Sequence, residues 1–341
     1  MTSGYLLTVL TGLSLALAVA IGLCTALGST LLGPTELLAA LSAGLEGRST
    51  DPEAVILLQV RLPRVLLAGL VGAALSAGGV AFQALLRNPL AEPYILGVSG
   101  GAAFGAMLAI ALGAEGFWWG LSPVPLCAFL GALFSLWLLY ALAQTQGRLL
   151  AHTLLLVGVI LNAFFSAGML FFTSLLDSDR LHQVVLWLMG SLGSLSYRIL
   201  APVALYVILG LGVLWLMARD LNLLSLGEET AQQLGVDVER LKRVVLLAAS
   251  LLTGAAVSLA GLIAFVGLIV PHVVRLLFGP DHRLLMPAAA LLGAIFLMAA
   301  DTLARTLMAP TELPVGVITA LGGGPFFLWL LRRQGWRACF G

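Results

Sequence analysis

Long runs of apolar residues, separated by short polar segments, follow one another along nearly the whole sequence. An α-helix rises about 1.5 Å per residue, so about 20 apolar residues are needed to cross the hydrocarbon core of a membrane. Runs of this length predict ten membrane-spanning helices. Their predicted bounds are 5–31, 64–86, 94–112, 121–143, 152–173, 198–217, 242–261, 263–279, 285–308 and 314–331.

Two places in this pattern are less regular. The seventh and eighth runs are almost continuous over residues 241–278, and only Gly261, Gly267 and Pro271 indicate a turn and a broken helix there. The second place is the polar segment 177–193, between the fifth and sixth spans. This segment predicts a short helix that lies at the membrane interface without crossing.

The composition leads to the same fold class. Hydrophobic residues make up 60% of the 341 positions, charged residues only 10%, and the mean hydropathy is +1.07. A soluble core cannot bury that much apolar surface, so we predict an all-α polytopic membrane protein with one transmembrane domain over residues 1–341, surrounded by lipid. The net charge of +1 indicates no nucleic-acid partner. The three scattered cysteines predict neither a disulfide nor a metal site, and we expect no cofactor.

The basic residues are distributed unequally between the two predicted sides of the membrane. Ten spans put both termini on one side, with eleven basic residues, and leave six on the other. Because basic residues favour the cytoplasmic side, both termini and the loop 218–241 are predicted to be cytoplasmic. The first set is Arg87, Arg148, Arg219, Arg240, Lys242, Arg243, Arg275, Arg283, Arg332, Arg333 and Arg337. The second set is Arg48, Arg61, Arg64, Arg180, Arg198 and Arg305.

The chain also contains an internal repeat. A shift of 182 positions aligns Leu70 with Leu252, and it likewise pairs Pro89 with Pro271. The aligned copies begin in the second and seventh spans, which are an odd number of crossings apart, so they run in opposite directions. We predict an inverted repeat of about 64–173 and 242–331, a plan that is typical of transporters.

A polar segment, residues 225–243, interrupts the apolar sequence. Ser225 followed by Glu228 predicts a capping box at the start of a short helix, and Gly235 predicts its end. Asp237 is then expected to cap the next helix. A two-turn helix is marginal alone and must be held by packing against a partner. The alternative is an ordinary solvated loop.

Three groups of motifs occur in order between about residues 30 and 332. The first includes Arg61-Leu-Pro-Arg64 and residues 83–93, the second is 227–235, and the third includes residues 267–275, 300–305 and 312–316. Together they resemble the bacterial ATP-binding-cassette (ABC) importer permeases for iron–siderophore, haem and vitamin B12 complexes. The resemblance implies an inner-membrane permease with ten spans. It also implies a homodimer enclosing one path, served by two cytoplasmic ATPase subunits and a periplasmic substrate-binding protein.

The same resemblance implies roles for particular residues. The coupling loop at about 220–240 would contact the ATPase through Gly227, Glu228, Glu229, Thr230, Ala231, Gln232, Gln233, Leu234 and Gly235. Arg61, Arg64 and Arg305 would receive carboxylates of the substrate-binding protein. The alternative for these arginines is that they extend their charged ends to the membrane interface without binding a partner.

A few polar residues lie within the predicted spans. Asp301 is either functional, as buried acids in membranes often are, or the partner of Arg305 four residues later. His152 begins the fifth span, where the family has small hydroxyl residues at a gate. Asn162 and Ser166 lie four residues apart on one face, as pore-lining residues or as hydrogen-bonding partners of another helix. These three form the candidate pore or gate, and His272 is expected to make a structural hydrogen bond.

Two other classes of function were weighed against an ABC permease. An enzyme is disfavoured because the four histidines show no metal-binding spacing and no G-x-S-x-G motif is present. A P-loop needs a lysine after its glycines, and the single lysine, Lys242, lies elsewhere, so ATP hydrolysis is expected in a separate subunit. An ion-coupled secondary transporter would also contain inverted repeats, but proton coupling usually needs more buried carboxylates than the single candidate here.

Overall fold

The computed structural model describes residues 3–28, 52–114, 116 and 122–340. Within these ranges the chain is almost wholly helical, with one small antiparallel hairpin of strands β1 (Gln144–Thr145) and β2 (Arg148–Leu149). The α-helices are α1 (Ser3–Ala26), α2 (Pro52–Val55), α3 (Leu62–Leu85), α4 (Val98–Ala111), α5 (Pro123–Ala143), α6 (Ala151–Thr173), α7 (Ser178–Leu188), α8 (Tyr197–Leu216), α9 (Ala218–Leu224), α10 (Glu228–Gln233), α11 (Val238–Ala260), α12 (Val266–Phe278), α13 (His282–Thr306) and α14 (Val315–Phe340). A π-helical segment, Ile56–Arg61, leads into α3, and a 3-10 turn, Pro93–Leu96, precedes α4.

Each of the ten predicted spans coincides with a helix, namely α1, α3, α4, α5, α6, α8, α11, α12, α13 and α14. The end of the first predicted span, residues 29–31, lies outside the described residues. Seven helices among the described residues are long and apolar enough to cross a membrane. The apolar segments Val98–Ala111, Val266–Phe278 and Val315–Trp329 are shorter. The membrane class and the helical fold are therefore confirmed.

Both irregular places contain a predicted change of structure, a short helix in one and a turn in the other. Helix α7 lies within the segment that predicted a short additional helix. A non-helical turn over residues 261–265 separates α11 from α12, and Gly261 adopts a φ of +70° there. A side chain on Gly261 would meet the Trp187 carbonyl oxygen. Pro271 lies inside α12 and does not end it.

Helix α3 is the centre of the bundle. It is buried along almost its whole length and packs against α8, α11, α12 and α13. Small residues allow the close approach: a Cβ atom on Gly72 would overlap the Gly293 carbonyl, and one on Gly293 would overlap the Gly72 carbonyl. Such crossings of small residues are how helices associate in lipid, where no hydrophobic effect drives them together.

Non-helical backbone in the interior is held by specific hydrogen bonds. Glu92 Oε1 accepts a hydrogen bond of 2.7 Å from the backbone N–H of Phe265, which immediately precedes α12 and has a φ of +70°. Asn162 Nδ2 donates to the carbonyl oxygens of Tyr94 and Ile95, at 2.7 and 3.3 Å, in the 3-10 turn. The Glu92 contact satisfies the N–H of the residue before α12, and the Asn162 contacts hold the carbonyls of the 3-10 turn. Hydrogen bonds of this kind are the condition for irregular backbone at membrane depth.

Candidate functional site

The polar segment between α8 and α11 folds into two short helices. Helix α9 continues to Leu224, and Ser225 is its C-terminal cap, with Oγ donating 2.6 Å to the Asn222 carbonyl oxygen. The predicted capping box was therefore wrong: Ser225 ends one helix and does not begin the next. Gly227 takes the N-cap position of α10 with a φ of +124°, which an L-residue rarely adopts.

The end of α10 agrees with the prediction. Gly235 has a φ of +89°, its N–H donates 3.0 Å to the Gln232 carbonyl oxygen, and the next N–H, of Val236, donates 3.0 Å to that of Ala231. Crossed bonds of this kind satisfy the last carbonyls of a helix. Asp237 Oδ1 accepts 3.0 Å from the Arg240 N–H and caps α11, as predicted.

One face of α10 is packed and the other is open. Ala231 is fully buried against the bundle, whereas Glu229, Thr230, Gln232 and Gln233 are exposed. The helix is flanked by two exposed leucines, Leu226 at 64% and Leu234 at 58% of their full accessible surface. The open side of α10 therefore combines polar side chains with two exposed apolar ones.

Below α10, Lys242 is almost wholly buried, with 1% exposure. Its ammonium donates to Glu228 Oε2 at 2.6 Å, to the Leu149 carbonyl oxygen at 2.8 Å and to Glu239 Oε1 at 3.3 Å. Glu239 Oε2 accepts 2.9 Å from the Leu149 N–H. All three ammonium protons therefore have acceptors.

A second polar cluster joins α9 to the start of α13. Asn222 Nδ2 donates 2.8 Å to Asp281 Oδ1, and Asn222 Oδ1 accepts 2.9 Å from the His282 N–H. Asp281 caps α13 and receives two-point contact from the Arg283 guanidinium, with a shortest distance of 2.6 Å. The Arg283 hydrogen bonds, with that from Asn222, hold the pKa of Asp281 well below its usual range.

The opposite end of α13 carries a buried ion cluster. Asp301, with no exposed surface, lies 3.0 Å from Arg64 Nη2 and 3.0 Å from Arg305 Nε. Arg64 also reaches Glu312, at 2.7 Å between Nη1 and Oε2. The predicted pair of Asp301 with Arg305 is confirmed, while the contact with Arg64, 237 residues away, has no local sequence signal.

The three predicted docking arginines lie close to one another but are mostly buried. Arg61 is 6% and Arg305 8% exposed, and each donates to a backbone carbonyl at the end of α1, of Ala26 and Cys24 respectively. The Arg64 side chain retains 14% exposure, beside the more open Glu312. Of the three, Arg64 is nearest to the surface.

Comparison with known proteins identifies the family of a chain with this arrangement of helices and polar clusters. The FecCD transport family matches residues 12–333 of the chain. The chain belongs to this family. The FecCD relatives include the hemin transport system permease protein HmuU from Yersinia pestis, which is 46% identical over 286 residues, covering 82% of this chain and 84% of that protein. The cobalamin import system permease protein BtuC from Halobacterium salinarum is 46% identical over 300 residues, covering 88% and 79%.

A solved structure of related fold is also similar to this FecCD chain. It is described as an inward-facing conformation of a metal-chelate type ABC transporter. The two have a TM-score of 0.81 and 32% sequence identity, over 96% of this chain and 99% of that one. Among the described residues of the FecCD chain, no group of three or more His, Cys, Asp and Glu side chains is arranged to hold a metal ion.

The candidate pore residues of the FecCD chain all lie on α6 but have different surroundings. His152 is exposed at the start of the helix, next to the hairpin. The side-chain amide of Asn162 hydrogen-bonds to the 3-10 turn before α4, which agrees with the hydrogen-bonding alternative. Ser166 is half-buried. His272 packs edge-on to Phe327 at 6.5 Å, and its Nε2 makes no hydrogen bond within the described part of the chain. The structural hydrogen bond expected of His272 therefore stays a prediction.

Two features of the site were missed from the sequence. The single lysine was assigned to the cytoplasmic side and excluded as a P-loop residue, and no buried partner was predicted for it. Glu92 lies within the motif 83–93, and no separate role was predicted for it. In the structure Glu92 lines a cavity of about 270 Å³ whose other walls are mostly apolar, including Leu188, Leu262 and Val317.

Proposed function

We propose that this chain is the permease subunit of an ABC importer that moves an iron–siderophore, haem or cobalamin-type complex across the inner membrane. The observation that carries the proposal is α10: a short, rigidly capped helix with exposed leucines, in a member of the FecCD transport family. Such a helix has no purpose in an ion-coupled transporter, since nothing there needs to grip a soluble subunit.

The proposed topology has ten crossings with both termini in the cytoplasm and the inverted repeat of 64–173 and 242–331. Helix α4 has 14 residues and α12 has 13. At about 1.5 Å per residue each is about 20 Å long, shorter than the hydrocarbon core. Each would therefore cross together with its adjoining non-helical segment, which the hydrogen bonds of Glu92 and Asn162 support.

The proposed ATPase contact is the segment 227–235. In this arrangement Glu229, Gln232 and Gln233 supply polar contacts and the flanking leucines supply apolar area. ATP hydrolysis would take place in a separate subunit, because the only lysine of the chain is enclosed by two carboxylates and a carbonyl. The chain itself is thus proposed to be a non-enzymatic partner.

The proposed assembly is a homodimer with one path between the copies. Helix α6 has a buried face, at Leu154, Gly158, Leu161 and Phe165, and leaves large apolar residues such as Ile160 and Phe164 exposed. A second copy or lipid must cover that surface. His152 and Ser166 are the proposed gate and pore contacts, while Asn162 supports them by holding the 3-10 turn.

The proposed docking of a periplasmic substrate-binding protein involves Arg64 first. Glu312 already neutralises part of its charge, so a carboxylate of the binding protein would compete with Glu312 for the guanidinium. An exposed pair is worth about 0.2–1 kcal/mol, so this contact would orient the partner more than it would bind it. Arg61 and Arg305, being buried, would act mainly through the local positive potential.

The test is ATP-driven uptake in proteoliposomes that contain the chain and its ATPase subunit. Haemin, an iron–hydroxamate complex and cyanocobalamin are each offered with a cognate binding protein. We expect uptake of at least one chelate that requires internal ATP, and none in liposomes with ATP withheld. Uptake that persists on an ion gradient without ATP would support the secondary-transporter alternative.

A further inference from the structure

Lys242 has an unusual setting for a charged residue. It is the single lysine of 341 residues, it lies in the first turns of the apolar helix α11, and its side chain is 2% exposed. An ammonium is removed from water at a large free-energy cost, and is retained in a protein interior only when it is paired and hydrogen-bonded. The buried ammonium of Lys242 is therefore stable only while its hydrogen-bond partners stay in contact with it.

The three acceptors of the ammonium belong to three separate elements. Glu228 is the first residue of α10, Glu239 is in the first turn of α11, and Leu149 is the last residue of β2. Leu149 is held twice, since its carbonyl accepts from Lys242 and its N–H donates to Glu239. The ring of contacts fixes the hairpin 144–149 immediately before α6.

The ammonium is the shared point between α10 and the hairpin. Within the described ranges, no hydrogen bond joins the two elements directly; each binds the ammonium of Lys242. The bond to Glu228 is 2.6 Å, and a hydrogen bond is lost beyond about 3.5 Å, so a displacement of about 1 Å would break it. Breaking one side would leave a buried charge without its full set of partners.

We propose that Lys242 is a positioning residue that makes α10 and the hairpin 144–149 move as one body. The inference rests on the proposed function: movement imposed on α10 by an ATPase subunit would be carried through the ammonium to Leu149 and so to the start of α6. His152, the proposed gate residue, lies three residues beyond Leu149. A nucleotide-dependent change in the ATPase would thus reach the end of α6 without passing through the core.

The test is hydrogen–deuterium exchange of the complex of the chain with its ATPase, in nanodiscs, without nucleotide and with ATP plus vanadate. In the wild type we expect the nucleotide to change exchange in both α10 and the hairpin. In Lys242→Met, the response of α10 should persist, whereas the response of the hairpin should fall severalfold. Uptake per ATP hydrolysed should fall with it.

Two further variants separate this role from a merely structural one. Arg243→Met removes the neighbouring positive charge, which is exposed and, among the described residues, hydrogen-bonds to the Glu239 carbonyl oxygen of its own helix. This variant should leave both responses at the wild-type level. Glu239→Gln keeps the side-chain volume and should reduce the response of the hairpin, even if Lys242→Met does not fold. In Lys242→Met, hydrogen–deuterium exchange could become faster in both α10 and the hairpin while the response to nucleotide is undiminished. That result would show that Lys242 only stabilises the fold, and it would overturn the inference.

The outcomes also distinguish this inference from the proposed function. A wild-type chain that recruits no ATPase would contradict the proposed function, and the inference would fall with it. A wild-type complex that assembles and transports, but in which the nucleotide changes exchange in α10 alone, would overturn the inference and leave the proposed function intact.

Discussion

Arg64 on α3 and Asp301 on α13 form a two-point ion pair in which Asp301 has no exposed surface, with Nε and Nη2 of the arginine 3.0–3.2 Å from the carboxylate oxygens. Arg305 contacts the same carboxylate from the other side. One buried negative charge therefore holds two guanidinium groups, and through Arg64 it joins α3 to α13.

Asp301→Asn should be strongly destabilising. It would remove the carboxylate that pairs with Arg305 and leave Arg64 with Glu312 alone, and removal of one partner of a buried pair costs about 3–5 kcal/mol. Thermal unfolding of the purified chain in detergent should show a large fall in Tm. Glu312→Gln is the matched control, because Glu312 is 55% exposed and such a pair contributes about 0–1 kcal/mol. Equal effects of the two variants would contradict the assignment of the cluster to the interior.

Gly72→Ala should separate α3 from α13. The added Cβ would overlap the backbone of Gly293, and overpacking of this kind typically costs about 1–3 kcal/mol. Gly212→Ala is the control, since, apart from the neighbouring backbone of its own helix, no atom of the described residues lies within 4 Å of a Cβ at that position. Alanine in a helix interior is favoured over glycine by about 0.5–1 kcal/mol, so the control should be neutral or stabilising in the same unfolding measurement.

Gly235→Val should uncouple ATP hydrolysis from uptake. A β-branched residue at a φ of +89° is strained by about 1–2 kcal/mol, which would unwind the end of α10. The ratio of ATP hydrolysed to chelate transported should rise. Gly279→Val carries the same kind of strain at a φ of +93°, away from the proposed docking segment, and should lower stability without changing that ratio. Normal coupling in Gly235→Val would count against a role for the helix end.

Asp281 should give a pH-dependent contribution to stability. Its pKa is lowered in the folded state, chiefly by Arg283, so its stabilisation is present above the unfolded pKa of about 4 and is lost as the pH falls below it. Asp281→Asn keeps a good capping residue but no charge. The difference in Tm between the wild type and this variant should be constant from pH 5 to 7 and should shrink below about pH 4. A difference that grows on acidification would contradict the sign of the shift.

The helices could be predicted from the sequence because lipid sets their length. A run of about 20 apolar residues has few alternatives to a helix, and all ten predicted positions contain one. Two helix boundaries were also predicted correctly from single residues. Gly235 ends α10 at a φ that favours glycine, and the side chain of Asp237 caps α11.

A side chain that can hydrogen-bond to either of two neighbouring helices could not be assigned to one of them from the sequence. Ser225 with Glu228 satisfies the spacing of a capping box, but the hydroxyl is used by the preceding helix because α9 runs on to Leu224. The docking role of Arg61, Arg64 and Arg305 stays a prediction, and the sequence did not predict that these side chains are largely buried. The burial of Arg64 depends on its pairing with Asp301 and Glu312. The pairing of Arg64 with residues 237 and 248 positions away follows from the packing of α3 on α13.

Helix α13 is tied at both of its ends, by Asn222 and Asp281 at one and by Asp301 with Arg64 at the other. Its 25 residues make a rod of about 38 Å. A tilt of about 5° around its middle would displace each tip by nearly 2 Å, in opposite directions. If α13 tilts as one rigid body, a push on the end beside α9 would therefore be accompanied by an opposite displacement of the arginine cluster at its other end.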